Sequence, residues 1–164
     1  MRDRAPGDRV DDEGVRGLAC PTVGGASPEV KVGASPEGVR YFRHRSTRYE
    51  GDGPRWVAAS GAEGRQQLDI DLAQAGAPMR TYEVSLYFAE PEAIAQGQRV
   101  FDVQLQGKGV ETGLDVIGLA GRPRTVLVRT YGGVEAADRL SIRLQPAAGS
   151  SRPPLLCGVR CVAR

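Results

Sequence analysis

Residues 80–107 read RTYEVSLYFAEPEAIAQGQRVFDVQLQG, and the way this stretch alternates decides the fold. Tyr82, Val84, Leu86 and Phe88 fall on one face, with Glu83, Ser85 and Tyr87 on the other. That two-residue period is the mark of a half-buried strand. After a polar connection, Phe101, Val103 and Leu105 alternate in the same way with Asp102, Gln104 and Gln106. A slip of one residue would move three large apolar side chains into water, at roughly 1.5–3 kcal/mol each. Two strands with fixed inner faces are therefore predicted, paired with each other across the intervening loop.

Working outward, YEVSLYFAEPE, GQRVFDVQLQGKGV and the later LDV follow one another in a set order. They resemble the signature of malectin and malectin-like domains, in which FAE, VFDV and a DI-type motif recur in that sequence. The resemblance covers residue 55 or so to the C-terminus. It implies an all-β fold, an antiparallel β-sandwich of jelly-roll, galactose-binding-like type, and a non-catalytic carbohydrate-binding role. It also implies that Glu90 of FAE and Asp102 of VFDV tie loops and strands together. In animal members of the family, sugar contact is attributed to aromatic residues on loops, with a carboxylate. Here the matching loop, 60–68, reads SGAEGRQQL and carries no ring, and the acidic position after the DI motif is Gly118. The resemblance therefore carries the fold over without the animal ligand set.

Composition agrees with a β-rich chain. Twenty-two Gly and eleven Pro in 164 residues supply the turns that many short strands need. Lys plus Arg exceed Asp plus Glu by only 22 to 20, so the net charge carries no polyanion-binding footprint. No stretch approaches the ~18 apolar residues of a membrane span, and the first fourteen residues lack the apolar run of a signal peptide. Localisation is left open by these features. No βαβ alternation, GxSxG, P-loop or HExxH pattern is present, so an enzyme is not expected and no cofactor is implied. A glycosidase would need two carboxylates about 5–9.5 Å apart across a cleft, and Glu90 with Asp115 is the pair to test for that.

Three cysteines cannot all pair. Cys157 and Cys161 lie four apart on a predicted strand, about 13 Å between Cα atoms and beyond the ~7 Å reach of a disulfide. They read as small buried hydrophobes, while Cys20 stands alone.

Residues 1–38 contain few large apolar side chains and repeat GASPE twice, so a flexible arm or linker is expected there, with EVKV at 29–32 as a candidate edge strand. Residues 39–164 form the expected domain. Its first segment, VRYFRHRSTRYE at 39–50, interleaves arginines with Tyr41, Phe42 and Tyr49. A single-strand nucleic-acid groove uses such a pattern. An arginine-guarded edge strand is the preferred reading, because no recognition motif accompanies the run, and no nucleic-acid partner is expected. His44 reads as a surface residue. EGDGP is a turn, RWVAAS a strand, 60–67 a loop, and LDIDLA a strand whose Asp69 and Asp71 share a wet face. Two such carboxylates are the beginning of a calcium site, but nothing nearby supplies the other oxygens, and no metal is expected. The connection EPEAIAQGQ has room for one helical turn, and Gly107-Lys108-Gly109 for a hairpin. Further strands are expected at 126–130, 140–145 and 155–163, bringing the total to eight or nine.

The candidate carbohydrate-binding residues are Tyr41, Trp56, Arg65, Gln66, Gln67, Asp115 and Tyr131. A solvent-facing Trp56 or Tyr131 would offer a flat apolar face to the axial C–H groups of a sugar. The competing assignment for Trp56 is a core anchor. Arg65, Gln66 and Gln67 supply donors and acceptors for hydroxyls, and Asp115 matches the DI position. An alternative function is a structural or protein-interaction sandwich without sugar affinity.

Overall fold

The computed structural model describes residues 31–36 and 39–164, and the backbone of a two-stranded ladder pairing β1 (Arg9–Val10) with β2 (Arg16–Gly17). Cys20 lies outside the described residues. Eleven further strands follow: β3 (Val32–Ser35), β4 (Arg40–Arg43), β5 (Ser60–Glu63), β6 (Gln67–Asp71), β7 (Arg80–Phe88), β8 (Val100–Leu105), β9 (Lys108–Asp115), β10 (Leu127–Ala136), β11 (Arg139–Pro146), β12 (Leu155–Leu156) and β13 (Gly158–Ala163). One layer is a five-stranded sheet in the order β3-β6-β11-β8-β9. The other is β10-β7-β13, continued by the small sheet β12-β5-β4. Only Cys157 separates β12 from β13, and its amide donates to Tyr87 O at 2.9 Å. Every ladder between these strands is antiparallel. The fold is an all-β sandwich.

Its interior is built from the alternating residues of both layers. Val84, Leu86 and Phe88 of β7 meet Phe101, Val103 and Leu105 of β8 and Leu140, Ile142 and Leu144 of β11, all at most 2% exposed. The Phe88 and Phe101 rings lie 5.8 Å apart at a 53° tilt, within the range aromatic pairs favour. The inner faces are as expected, but the pairing is not. β7 and β8 sit in opposite layers and touch through side chains, while β8 pairs with β11 and β9. An eleven-residue connection is long enough to change sheets, and alternation fixes only which face is buried, not which neighbour is bonded. The outer face of β7 also differs from expectation: Ser85 and Tyr87 are buried. A one-turn helix, α1 (Arg55–Ala58), stands where RWVAAS suggested a strand, and packs against β7. Gly158 permits this approach, since a Cβ there would lie 2.4 Å from Val57 Cγ1.

Other elements shift in detail. β3 (Val32–Ser35) pairs with β6, so this part of the presumed arm belongs to the sheet, while residues 29–30 of the EVKV candidate lie outside the described residues. Ser60–Glu63 is a strand rather than loop, because it lies between β4 and β12. The β8–β9 hairpin turns on Gln106 and Gly107, with φ of 51° and 76°, so its tip precedes Lys108. β10 runs through Tyr131 and Gly132 with a bulge, where a strand end was expected. The connection 89–99 forms turns without a helical turn. A second short helix, α2 (Val116–Ala120), follows β9.

The most deeply buried charge among the described residues clusters around Arg99. Arg99 is 1% exposed, and its Nε donates to Glu90 Oε2 at 2.6 Å while Nη2 donates to Glu90 Oε1 at 3.3 Å and Glu63 Oε2 at 3.1 Å. Nη1 donates to Pro153 O. At the rim, Arg40 lies 3.1 Å from Glu63 Oε1, outside hydrogen-bonding geometry, and bonds Glu92, which Arg152 approaches at 3.3 Å. Across the sandwich, Glu111 of β9 accepts from Arg129 Nε (2.6 Å) and Tyr131 Oη (3.0 Å) of β10, joining the edges of the two layers.

Replacing Arg99 by Ala leaves two buried carboxylates without their counter-charge and should cost about 3–5 kcal/mol of stability, read as a lowered urea midpoint. At high pH a second loss is expected. Burial pushes the Cys157 thiol from 9.0 up to about 12 and the Tyr49 hydroxyl from 10.0 up to about 12. The folded state thus holds these protons more tightly than the unfolded chain, so the contribution is full below pH 9 and lost as pH rises through 12. Denaturation midpoints should fall across that window, and Cys157→Ala should flatten the fall.

Candidate functional site

Four of the seven candidate residues come together beside the five-stranded sheet. Tyr41 is 49% exposed, and it alone among the aromatic rings of the described residues is exposed. Its orientation is set from beneath. Arg65 is 8% exposed, donates from Nη1 to Pro36 O at 2.7 Å, and donates from Nη2 to the Tyr41 hydroxyl, with the guanidinium carbon 5.9 Å from the ring centroid. Gln66 extends the ladder on both sides, its N–H donating to Ser35 O (2.9 Å) and its carbonyl accepting from Leu144 N (2.8 Å), while its side chain is exposed. Gln67 opens β6 and donates to Asp69 Oδ2 at 3.0 Å.

From Gln67 a polar row crosses the sheet. In register, Ser35 faces Gln67, Gln67 faces Arg143, and Arg143 faces Gln104. All point away from the core, since Leu68, Ile142 and Leu105 next to them point into it. Gln67, Gln104, Gly107, Ser141 and Arg143 line a shallow depression of about 180 Å³. Arg143 has no side-chain partner among the described residues. Neighbouring strands lie ~4.8 Å apart, so the row presents amide, guanidinium and hydroxyl groups in one line across the sheet. Ser141, Arg143 and Gln104 escaped the sequence reading as site residues. Their wet parity was legible, but the strand order that sets them side by side was not.

The remaining candidates lie apart. Trp56 is half-buried on α1. Asp115 accepts from Gly118 N (3.0 Å) and Gly97 N (2.7 Å), capping α2 and anchoring the 89–99 connection with both oxygens. Tyr131 is half-buried in the Glu111 clamp, and burial with the Glu111 hydrogen bond raises its pKa. These engagements remove Asp115 and Tyr131 from the solvent-facing set. Glu90 is buried against Arg99 and Asp115 caps α2, so both carboxylates named for a glycosidase pair are engaged within the fold. Asp102 accepts from Gly113 N at 2.8 Å, tying β8 to β9. Asp69 accepts from Ser141 Oγ, and Asp71 pairs with Arg139 at 2.9 Å. His44, expected at the surface, is half-buried, with Nδ1 2.9 Å from the Tyr49 hydroxyl. No helix among the described residues is long and apolar enough to cross a membrane.

A larger groove of about 460 Å³ lies elsewhere, lined by residues 51–53, Leu119, Ala120 and 125–128.

The family model for the Malectin domain matches residues 71–151, which run from the end of β6 to just past β11 and include FAE and VFDV. Over these residues the chain is similar to malectin domains, and the match covers just under half of it. It is 34% identical over 85 residues to Receptor-like protein 4 of Arabidopsis thaliana, covering 51% of this chain and 14% of that protein. The ANXUR1 extracellular domain of Arabidopsis thaliana superposes with a TM-score of 0.63 at 14% identity, over 79% of this chain and 40% of that one. A Bacteroides uniformis beta-glucuronidase superposes with a TM-score of 0.68 at 17% identity, over 96% of this chain and 17% of that one. At these identities the structural matches establish a shared sandwich. The chain spans between 14% and 40% of the lengths of these relatives.

Arg65→Ala should free the Tyr41 ring and remove two charge-assisted hydrogen bonds, lowering stability by about 1.5–3 kcal/mol. Arg65→Lys should recover little of this, because an ammonium cannot reproduce the planar fork that reaches Pro36 O and the tyrosine hydroxyl together. Thermal melts of the three proteins check both.

Proposed function

We propose that this malectin-like domain is a non-catalytic recognition module of a larger protein, holding a saccharide on the outer face of its five-stranded sheet and the adjoining β4 edge. The observation that carries the reading is Tyr41, an exposed ring held in place by a buried arginine at the margin of a polar row. A sugar needs an apolar platform for its C–H face and preorganised donors and acceptors for its hydroxyls. Tyr41 supplies the first. Gln67, Gln104, Ser141 and Arg143 supply the second. The non-catalytic part rests on Glu90 and Asp115, both of whose carboxylates are already occupied in holding the fold.

Binding to a glycan array tests the reading. The intact chain should retain at least one glycan class, and Tyr41→Ala and Arg143→Ala should each weaken it about tenfold or more. Trp56→Ala and Asp115→Asn, away from the row, should change affinity little once their stability is accounted for. A blank array, or retention that ignores both Tyr41 and Arg143, rejects it. The alternative, an interaction sandwich without sugar affinity, is favoured by one feature: loop 60–68 brings no ring to the surface, and Ser60–Glu63 of it is consumed as β5.

A further inference from the structure

We infer that the outer face of the five-stranded sheet takes an internal stretch of a neutral polysaccharide, laid across the strands, and not a chain end held in a pocket. The inference rests on the saccharide role proposed for the same face. Register supplies the direction. Ser35 of β3, Gln67 of β6, Arg143 of β11, Gln104 of β8 and Gly109 of β9 are successive partners, so they form one line across the strands. From Ser35 to Gln104 that line crosses three strand spacings, about 14 Å, which is longer than any single sugar ring. Tyr41 stands at its β3 end. The Arg65 guanidinium that bonds the Tyr41 hydroxyl also donates to the carbonyl of Pro36, the residue after Ser35. An apolar platform thus comes first along the line, and the hydrogen-bonding groups follow it.

The far end of the line is open. Gly109 has no side chain, and a Cβ there or on Gly107, which lines the depression, would meet no heavy atom within 4 Å. At the near end β3 is the edge of its sheet. The depression holds about 180 Å³, below the roughly 300–1,000 Å³ of clefts that enclose a small ligand. A terminal sugar draws its affinity from walls around it. An open strip gains affinity only where one ligand engages many shallow contacts at once, which a polymer does.

The charges on this face select a neutral chain. Arg143 is exposed, with no side-chain partner among the described residues. Two carboxylates share its outward face. Asp69 is the partner of Ser141, two residues before Arg143, and Asp102 that of Gln145, two residues after it. The line therefore passes between Asp69 and Asp102. A polyuronate or sulfated chain following it would be repelled by both, offsetting what Arg143 attracts. Neutral hydroxyls accept from Arg143 and exchange hydrogen bonds with Gln67 and Gln104 without that penalty.

The test begins with affinity electrophoresis of the intact chain in gels holding hydroxyethyl cellulose, galactomannan, xylan, polygalacturonate or dextran sulfate. Oligosaccharides of two to six residues from the most retarding neutral polymer are then titrated in solution. The six-residue chain should bind about tenfold or more tightly than the two-residue one, and reducing its terminal sugar should change little. Tyr41→Ala and Gln104→Ala, at opposite ends of the line, should each weaken the six-residue chain, whereas the two-residue one should respond to at most one of them. Melting curves of both variants separate lost contacts from lost fold. Equal affinity at the two lengths, or loss of binding on reducing the chain end, overturns the inference and leaves the saccharide role standing. So does a preference for polygalacturonate or dextran sulfate over every neutral polymer. No retardation by any polymer together with a blank glycan array removes the saccharide role itself, and this inference with it.

Discussion

The arrangement rests on a guanidinium that has almost no contact with water. Arg99 sits at the point where three pieces of chain converge: the FAE connection through Glu90, the small sheet through Glu63 on β5, and the segment before β12 through Pro153 O. Taking a charge this deep out of water is tolerable only where its hydrogen-bonding directions are answered, and here the two carboxylates and a carbonyl answer them. A hydrophobic contact would tolerate small shifts in angle. The planar fork does not, so it fixes how the β12-β5-β4 sheet meets the rest of the sandwich.

That constraint propagates to the surface around Tyr41. β5 ends at Glu63, and Gly64 and Arg65 follow directly, so holding Glu63 against Arg99 also determines where Arg65 enters. Arg65 in turn holds Tyr41 on β4, the strand that pairs with β5. A buried ion cluster and an exposed ring are thereby joined by a few residues of chain. The polar row has a different origin. Leu68, Leu105, Ile142 and Leu144 must face the core, and in a strand their sequence neighbours must then face out. Gln67, Gln104, Ser141 and Arg143 are placed by the burial of residues that never touch a ligand.

Alternation made the layers legible. Val84, Leu86, Phe88, Phe101, Val103 and Leu105 are buried as their parity requires, and the malectin motifs pointed to the sandwich in which they meet. Partnership between strands was hidden, since β7 and β8 obey the same parity whether they bond or face one another across the core. Short elements were hidden for a related reason. Arg55–Ala58 has too few residues to display a helical period, and its helix is set by packing on Gly158 and β7. Of the candidate residues, Arg65 and Tyr41 were read from residue type alone, and their contact depended on a strand, β5, that had been taken for loop. Asp115 stands out by its motif, and its surroundings show it capping α2 and holding Gly97.

The carboxylates show why residue type alone separates recognition from catalysis poorly. Glu63, Glu90, Asp102 and Asp115 are distributed along motifs that in another setting would suggest an acid–base pair. Each here accepts from a guanidinium or backbone amide that fixes a junction: sheet to sheet, loop to strand, hairpin to its own edge, or helix to connection. A general acid must release and regain its proton at the reacting bond, and a group whose lone pairs hold the fold together cannot do so without loosening it. Tyr41 offers an exposed ring, and Gln104 and Arg143 offer an amide and a guanidinium that no side-chain bond among the described residues uses. Such groups grip a ligand through hydrogen bonds and stacking while leaving its covalent bonds alone, which is the chemistry the proposed recognition role needs.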